Sequence, residues 1–574
     1  MLTPRVQAAL EAAFGPEFAH ADPVLRPSKF ADVQVNAPLA LAKRLGLNPR
    51  EVAARLVDHL DVAGVCDAVE VSGPGFVNLT AATDWIAAEI GELARDPHTG
   101  IVPEAPQTVV VDYSAPNVAK EMHVGHLRTT VVGDALVRTL EALGHNVIRQ
   151  NHIGDWGTPF GMLIEHLIDV GDGSDEARLL TSDPNAFYQQ ARVKFDGDPE
   201  FADRSRARVV ALQGGDEATL AIWDELVSAS QVYFNLIYTT LGVTLTDADL
   251  AGESRYNDDL PAVCDELEAA GLARVSDGAL CAFPEGFTGR DGGPMPLIIR
   301  KSDGGYGYGT TDLATVRYRV RQLHADRMLY VIGVTQSLHL EMVYATARAA
   351  GWLPPTTTAE HIAIGSVTGT DGKLLRTRAG DSLRLMALLD EAVTAAAAIL
   401  AELRPDLGGE QSATIARQIG IGAVKYADLS VAHDSAYAFD LKRMLALTGN
   451  TGPYLQYAVA RSRSMARKAA GQGLQVPPDA RIDIGTEAER TLAMHLLDFG
   501  ETVTQVGCTC EPHRLCAYLF DLAQAFSSFW EQCPVLRSDV EPAVRDSRLA
   551  LAALTERVLV TGLDLLGLEA PEQM

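Results

Sequence analysis

Two hydrophobic patterns alternate along the middle of the chain. Short continuous apolar runs mark buried parallel strands, and apolar positions three and four apart mark amphipathic helices. Thr108-Val109-Val110-Val111-Asp112-Tyr113 predicts a buried strand. After a loop, Leu127, Val131, Ala135, Leu136, Leu140 and Leu143 recur at helical spacing, and Gly144 suits the position just past a helix end. Residues 146–149 read as the next strand, so strand, helix and strand form a βαβ unit and a parallel sheet. Parallel-sheet character returns at 297–300, 328–333 and 361–364, separated by helical patterns at 312–323 and 338–350. Residues from about 169 to 293 are polar, acidic and mostly helical in pattern, and read as an insertion into a sheet domain spanning 107–380.

The flanks differ. Residues 1–100 mix helical pattern (38–45, 51–60) with an apolar stretch ending at Leu79, and Asp96-Pro97-His98-Thr99-Gly100 with Pro103 and Pro106 reads as a linker. Residues 381–574 carry almost only helical periodicity, at 383–403, 412–430, 454–469, 487–506, 513–532 and 547–566, which predicts an all-α domain of five or six helices. The length of 574 residues suits roughly three to five domains. With 47% hydrophobic and 21% charged residues, gross disorder is excluded. Lys and Arg number 48 against 75 Asp and Glu, a net charge of −27. That excludes a generic basic coat and leaves nucleic-acid binding to a local groove. The 7 cysteines are scattered, and no stretch reaches the ~20 apolar residues of a membrane span. The first residues lack the charged head of a signal peptide. Reduced thiols in a cytoplasm, with no membrane, are the expectation.

The chemistry concentrates in the loop after the first strand, Asp112-Tyr113-Ser114-Ala115-Pro116-Asn117-Val118-Ala119-Lys120-Glu121-Met122-His123-Val124-Gly125-His126. The loop lies at the C-terminal edge of a parallel strand, where open α/β sheets bind ligands. It runs into a helix N-terminus, whose N–H groups and dipole attract anions. His123 and His126 flank Gly125, where a ligand can approach the backbone closely, and Lys120 adds a cation. This set suits a nucleoside triphosphate attacked at its α-phosphate. Helix capping or packing by the two histidines is the alternative, and a zinc site lacks a third ligand.

His123-Val124-Gly125-His126 resembles the His-x-Gly-His signature of class I aminoacyl-tRNA synthetases. The wider run from Val109 to Arg128 is similar to that of arginyl-tRNA synthetases, as are Asn151-His152-Ile153-Gly154-Asp155-Trp156-Gly157, Gly452-Pro453-Tyr454-Leu455-Gln456-Tyr457 and the closing Leu565-Leu566-Gly567-Leu568-Glu569-Ala570-Pro571. The resemblance, of bacterial type, spans the chain. It implies an α/β fold: a Rossmann-like parallel-sheet catalytic domain with an insertion, an α+β N-terminal module that touches the tRNA elbow, and an all-α C-terminal domain that binds the anticodon. It implies an arginine–tRNA ligase that uses ATP with Mg2+ as its substrate complex. It also implies activation dependent on bound tRNA, a monomer, and no editing domain.

Read through the resemblance, Lys120, His123 and His126 are catalytic, and Gly125, Gly154, Asp155 and Arg376 join the histidines on ATP. Arginine selection needs acidic partners for a planar guanidinium. Asp112 and Asp312 are the candidates, with Asn117 and Gln336 on the amino-acid head and Tyr308 lining the pocket. On its position alone Asp312 reads first as a helix cap, and the resemblance reverses that order. The family's second signature is degenerate here: in Asp371-Gly372-Lys373-Leu374-Leu375-Arg376-Thr377-Arg378 its second lysine falls on Thr377. Lys120 is expected to substitute for it. On the RNA side, Tyr454, Tyr457, Arg461 and Met574 are expected near the anticodon, beside Arg463, Arg467 and Lys468, with Phe76 and Asn78 at the elbow. Cys508, Cys510, His513 and Cys516 crowd too closely for a zinc site and read as a helix start, so no tightly bound metal is expected. A tRNA-binding paralogue without ligase activity, or a ligase serving a specialised biosynthetic route, shares these motifs and stands as the alternative.

Overall fold

Val109, Val110 and Val111 are each fully enclosed. Burial on both faces makes Thr108–Asp112 (β1) an inner strand of a four-stranded sheet. The computed structural model describes residues 2–28, 30–171, 173–289, 292–302, 304–373, 375, 383–474 and 480–574. The helix Val124–Ala142 (α1) leads from β1 to Asn146–Gln150 (β2), which pairs parallel with β1 so that Val110 faces Ile148. On its other side β1 pairs parallel with Arg327–Gly333 (β3), which pairs in turn with Thr358–Ile364 (β4). The spatial order is β4, β3, β1, β2, the parallel sheet that the sequence predicts. A Cβ on Gly133 of α1 would lie 2.3 Å from Tyr113, so only glycine lets α1 pack this closely on the end of β1.

The insertion is mainly helical, including Pro184–Gly197 (α2) and the long Glu217–Leu241 (α3). It ends differently from the expectation. Leu297–Arg300 is not a strand of the parallel sheet: it pairs antiparallel with Ala279–Ala282, which pairs antiparallel with Ala273–Ser276. The reason is one-sided burial. Leu297 and Ile299 are buried while Ile298 is 48% exposed, so an apolar residue on the outer face imitated a strand buried on both sides. The helices Tyr308–Arg321 (α4) and Ser337–Ala349 (α5) flank β3 in sequence.

Contacts divide the chain into two units. The sheet domain belongs to the larger one, Ile101–Arg461 with Glu501–Phe520 and Leu559–Met574. The other comprises Met1–Gly100 with Ser462–Gly500 and Asp521–Val558. Its antiparallel sheet runs Leu25–Pro27, Val33–Val35, Phe76–Ala81, Cys66–Ser72 and buries Val35, Val77 and Leu79 against Val6, Leu10, Ala53 and Leu56. Within this unit Arg490 holds both oxygens of Asp32, at 2.9 and 2.7 Å, and Arg557 donates to the carbonyls of Leu93 (2.7 Å) and Ala94 (3.1 Å). The C-terminal part is helical as expected. The stretch read as one helix over 487–506 is two, Glu487–Leu497 and Phe499–Thr509, with Asp498 ending the first. No described helix is long and apolar enough to cross a membrane.

Candidate active site

The loop leaving β1 is strained and held from several sides. Ser114, Ala115 and Ala119 have φ of 70°, 47° and 56°, left-handed values that cost a non-glycine residue roughly 1–2 kcal/mol each. Compensating bonds come from far along the chain. The Ser114 hydroxyl bonds Tyr238 of α3 (2.8 Å) and accepts from Thr130 (3.0 Å). The Ala115 N–H donates to Asn151 Oδ1 (3.1 Å), and the Ala119 N–H donates to Ser230 Oγ of α3 (2.8 Å). The second signature-like stretch packs directly alongside: Val118 donates to the Gly154 carbonyl (3.0 Å) and Gly154 to that of Pro116 (3.1 Å). Asn117 lies over Gly154 so closely that a Cβ there would sit 2.4 Å from Asn117 Oδ1.

At the loop's end His123 is the N-cap of α1. Its Nδ1 accepts the Gly125 N–H at 3.0 Å, and the His126 Nδ1 accepts the His123 N–H at 3.1 Å. Capping, the alternative reading of these histidines, is therefore realised, and it has a chemical consequence. An Nδ1 that accepts carries no proton, so a neutral ring bears it on Nε2. The rings are neutral: burial, then His123 and Lys120, push His126 down to about 3, and burial with Lys120 lowers His123. Two Nε2–H donors thus stand at a helix N-terminus, with ring centroids 4.1 Å apart. Lys120 lies beside them, its Nζ 4.2 Å from the Tyr188 ring centroid.

The acidic side departs from the expectation. Asp112 is 1% exposed, and its Oδ2 accepts from Arg319 Nη2 at 2.7 Å, with Arg319 fully buried. An incoming guanidinium would find this carboxylate enclosed and already paired. Asp155 is 3% exposed, and both its oxygens accept from Ser254, from N–H at 2.9 Å and from Oγ at 2.6 Å. Instead of being offered to a nucleotide, that carboxylate fastens the segment carrying Glu253. Glu253 is the residue sequence reasoning missed. Loss of water around its carboxyl, then the nearby charges of Asp312 and Asp155, raise it to about 8. Next to it, a Cβ on Gly252 would lie 2.2 Å from Asp155. Asp312 is the fifth residue of α4, past its first turn, and does not cap the helix. Its Oδ2 lies 2.5 Å from His339 Nε2 of α5, a contact that raises the imidazole. Tyr308, first residue of α4 and 72% exposed, has its phenol raised by partial burial and then by Glu253, Tyr188 and Asp312. Gln336 is exposed in the turn that opens α5.

The remaining candidates lie elsewhere in the sequence. Tyr454 packs on Phe520 with centroids 5.6 Å apart, Tyr457 is 42% exposed, and Arg461 is half-buried on the same helix, Gly452–Gly471. Arg404 Nη1 donates to the Met574 carbonyl at 2.9 Å. Phe76 is half-buried, while Asn78 is buried and bonded to Gln34 (2.9 Å) and Ser72 (2.8 Å). Arg463 pairs with Glu556 at 3.0 Å. Arg376, Thr377 and Arg378 lie outside the described residues. Cys510 accepts from Arg327 at 3.1 Å and Cys516 is buried. Among the described residues, no three His, Cys, Asp or Glu side chains gather into a metal-holding group.

Residues 92–441 match the family of class I (R) tRNA synthetase catalytic domains, 455–574 the DALR anticodon binding domain, and 1–81 the arginyl tRNA synthetase N terminal domain. The chain belongs to the class I arginyl-tRNA synthetase family. It is 65% identical over 574 residues to the arginine–tRNA ligase of Thermobifida fusca (strain YX), covering 100% of this chain and 99% of that one. It is 52% identical to that of Frankia casuarinae, covering 99% and 98%. Among solved structures it is similar to the arginyl-tRNA synthetases of Plasmodium falciparum (TM-score 0.84, 26% identity, 100% of this chain and 98% of that one) and Thermus thermophilus (TM-score 0.83, 26% identity, 100% and 99%). The catalytic-domain match contains the His123-x-Gly-His126 corner, Glu253 and Asp312.

Proposed function

We propose that this arginyl-tRNA synthetase activates L-arginine with ATP and transfers it to the 3′ end of its cognate tRNA. The observation that carries the reading is the mutual capping of His123 and His126, which leaves two neutral Nε2–H donors at the α1 N-terminus. ATP enters as its magnesium complex, the ion carried by the phosphates. The arginine carboxylate attacks the α-phosphorus, the bond to the β-phosphate breaks, and pyrophosphate leaves. The protein does little covalent work. The two imidazoles and Lys120 stabilise charge that grows on the phosphate oxygens, with Gly125 allowing close approach and Arg376 a further phosphate contact. Lys120 takes the place of the missing signature lysine.

The guanidinium is held by Glu253 and Asp312, the amino-acid head by Asn117 and Gln336, and Tyr308 lines the pocket. Asp155 acts through Ser254 by fixing the Glu253 segment, and Asp112 through Arg319 by fixing the end of β1. A ribose hydroxyl of tRNA then takes the arginyl group and AMP departs. Tyr454, Tyr457, Arg461 and Met574 meet the anticodon, and Phe76 meets the elbow, with buried Asn78 shaping the strand beneath it. The functional divisions are 1–100, 107–380 with its insertion, and 381–574, in a cytoplasmic monomer. Arginine-dependent ATP–pyrophosphate exchange, with and without tRNA and followed by labelled-arginine charging, tests this. With tRNA bound, exchange and charging are expected with arginine and not with lysine, and without tRNA exchange is expected to fall. No exchange even with tRNA present, or equal exchange with lysine, would overturn it.

A further inference from the structure

The inserted helix α2 is tied to the signature loop at consecutive loop residues. Asp183 caps α2 by accepting the Ala186 N–H at 3.0 Å. Both Asp183 oxygens also accept from Arg384 Nη2 at 3.2 Å, and Arg384 Nε stands 2.8 Å from Glu121 Oε2. Arg384 is itself fixed by its backbone neighbours: Val124 donates to the Leu383 carbonyl (3.1 Å) and Leu385 to that of Met122 (3.0 Å). With the start of α2 fastened beside Glu121, the helix presents Tyr188 to the preceding loop residue, Lys120, whose Nζ lies 4.2 Å from the ring centroid.

A lysine ammonium on a four-carbon stem is otherwise mobile. An aromatic face attracts it and narrows its positions. Lys120 depresses the protonation of both His123 and His126, and Tyr188 is felt by the Tyr308 phenol.

We propose that Tyr188 is a positioning residue for adenylate formation: the face of its ring holds the Lys120 ammonium beside His123 and His126, ready for the triphosphate. The proposal rests on the reading that Lys120 meets the phosphates. It gives the insertion a part in the chemistry, through the preorganisation of a charge.

The test is ATP–pyrophosphate exchange, with tRNA present, by the full-length Tyr188→Phe, Tyr188→Leu, Lys120→Ala and Tyr188→Leu/Lys120→Ala proteins, each checked by thermal unfolding. Tyr188→Phe keeps the face and should stay within about twofold of the parent. Tyr188→Leu should lose about tenfold in kcat with the arginine KM unchanged, and should add no loss to Lys120→Ala. If Tyr188→Leu is harmless while Lys120→Ala is impaired, the role of Tyr188 falls and the reading of Lys120 stands. If Lys120→Ala is itself harmless, the reading falls. If Tyr188→Phe is as damaged as Tyr188→Leu, or if the double variant loses the product of the two single losses, Tyr188 does not act by holding Lys120. Should the leucine variant unfold, Tyr188→Trp, which keeps an aromatic face, must restore exchange, and failure of that restoration overturns the proposal.

Discussion

The Nδ1 of His126 accepts the backbone N–H of His123 at 3.1 Å, and this one bond decides which nitrogen of His126 can serve a ligand. It places the proton of the neutral ring on Nε2. Replacing His126 by Ala should slow adenylate formation by about 100- to 1,000-fold in single-turnover assays, the scale of losing one preorganised donor. A rate within a few fold of the parent would refute the assignment.

The same ring sets a pH dependence of stability. His126 is pushed down to about 3, so between about 6.5, its unfolded value, and 3 the unfolded chain binds a proton that the native state refuses. Stability is therefore lost as pH falls through that window. Urea unfolding at pH 7 and pH 5 should show the loss, and His126→Gln should show a smaller one.

If Glu253 holds the guanidinium, arginine binding should release a proton. Its carboxyl is raised to about 8, by burial first and then by Asp312 and Asp155, so it is largely protonated at pH 7. A bound guanidinium restores the carboxylate and expels the proton. Arginine affinity should therefore rise with pH up to about 8 and then level. Calorimetry in buffers of different ionisation enthalpy would detect the released proton. Glu253→Gln should abolish the release and weaken arginine by about tenfold to a hundredfold.

Asp112 and Arg319 form an enclosed ion pair at 2.7 Å. Removing one partner strands the other, which typically costs about 3–5 kcal/mol. Asp112→Ala should be strongly destabilised in denaturant unfolding, while whatever folds should keep its arginine KM. A stable variant with a large rise in arginine KM would return Asp112 to the pocket.

Gly154 carries no side chain because Asn117 occupies that space, 2.4 Å from where a Cβ would be. Gly154→Ala should displace Asn117 and lower kcat/KM for arginine by up to about a hundredfold, as misplaced binding groups do. Normal kinetics would show that Asn117 does not hold the substrate.

How much was legible beforehand follows from how local each signal is. β1 and α1 are written in adjacent residues, three valines and then a helical stripe, and a buried parallel strand has few other patterns to imitate. The histidine corner was legible for the same reason, since capping and chemistry both act within four residues. Leu297–Arg300 misled because exposed Ile298 carries the hydrophobicity of a buried residue. The acidic pair was half legible. Asp312 announced itself near a helix start, but Glu253 gains its character only through burial beside Asp312 and Asp155, positions that no local pattern brings together. Asp112 had the right chemistry, but Arg319, far along the chain, claims it.

The proposed cleft takes adenosine phosphates on the His123–His126 corner and a guanidinium on Glu253 and Asp312. The most direct measurement is a crystal structure of this chain with a non-hydrolysable arginyl-adenylate analogue. Guanidinium nitrogens are expected within hydrogen-bond distance of both carboxylates, and the phosphate mimic against the two imidazole Nε2 atoms. A guanidinium seated elsewhere, with Glu253 or Asp312 facing away from it, would contradict the account.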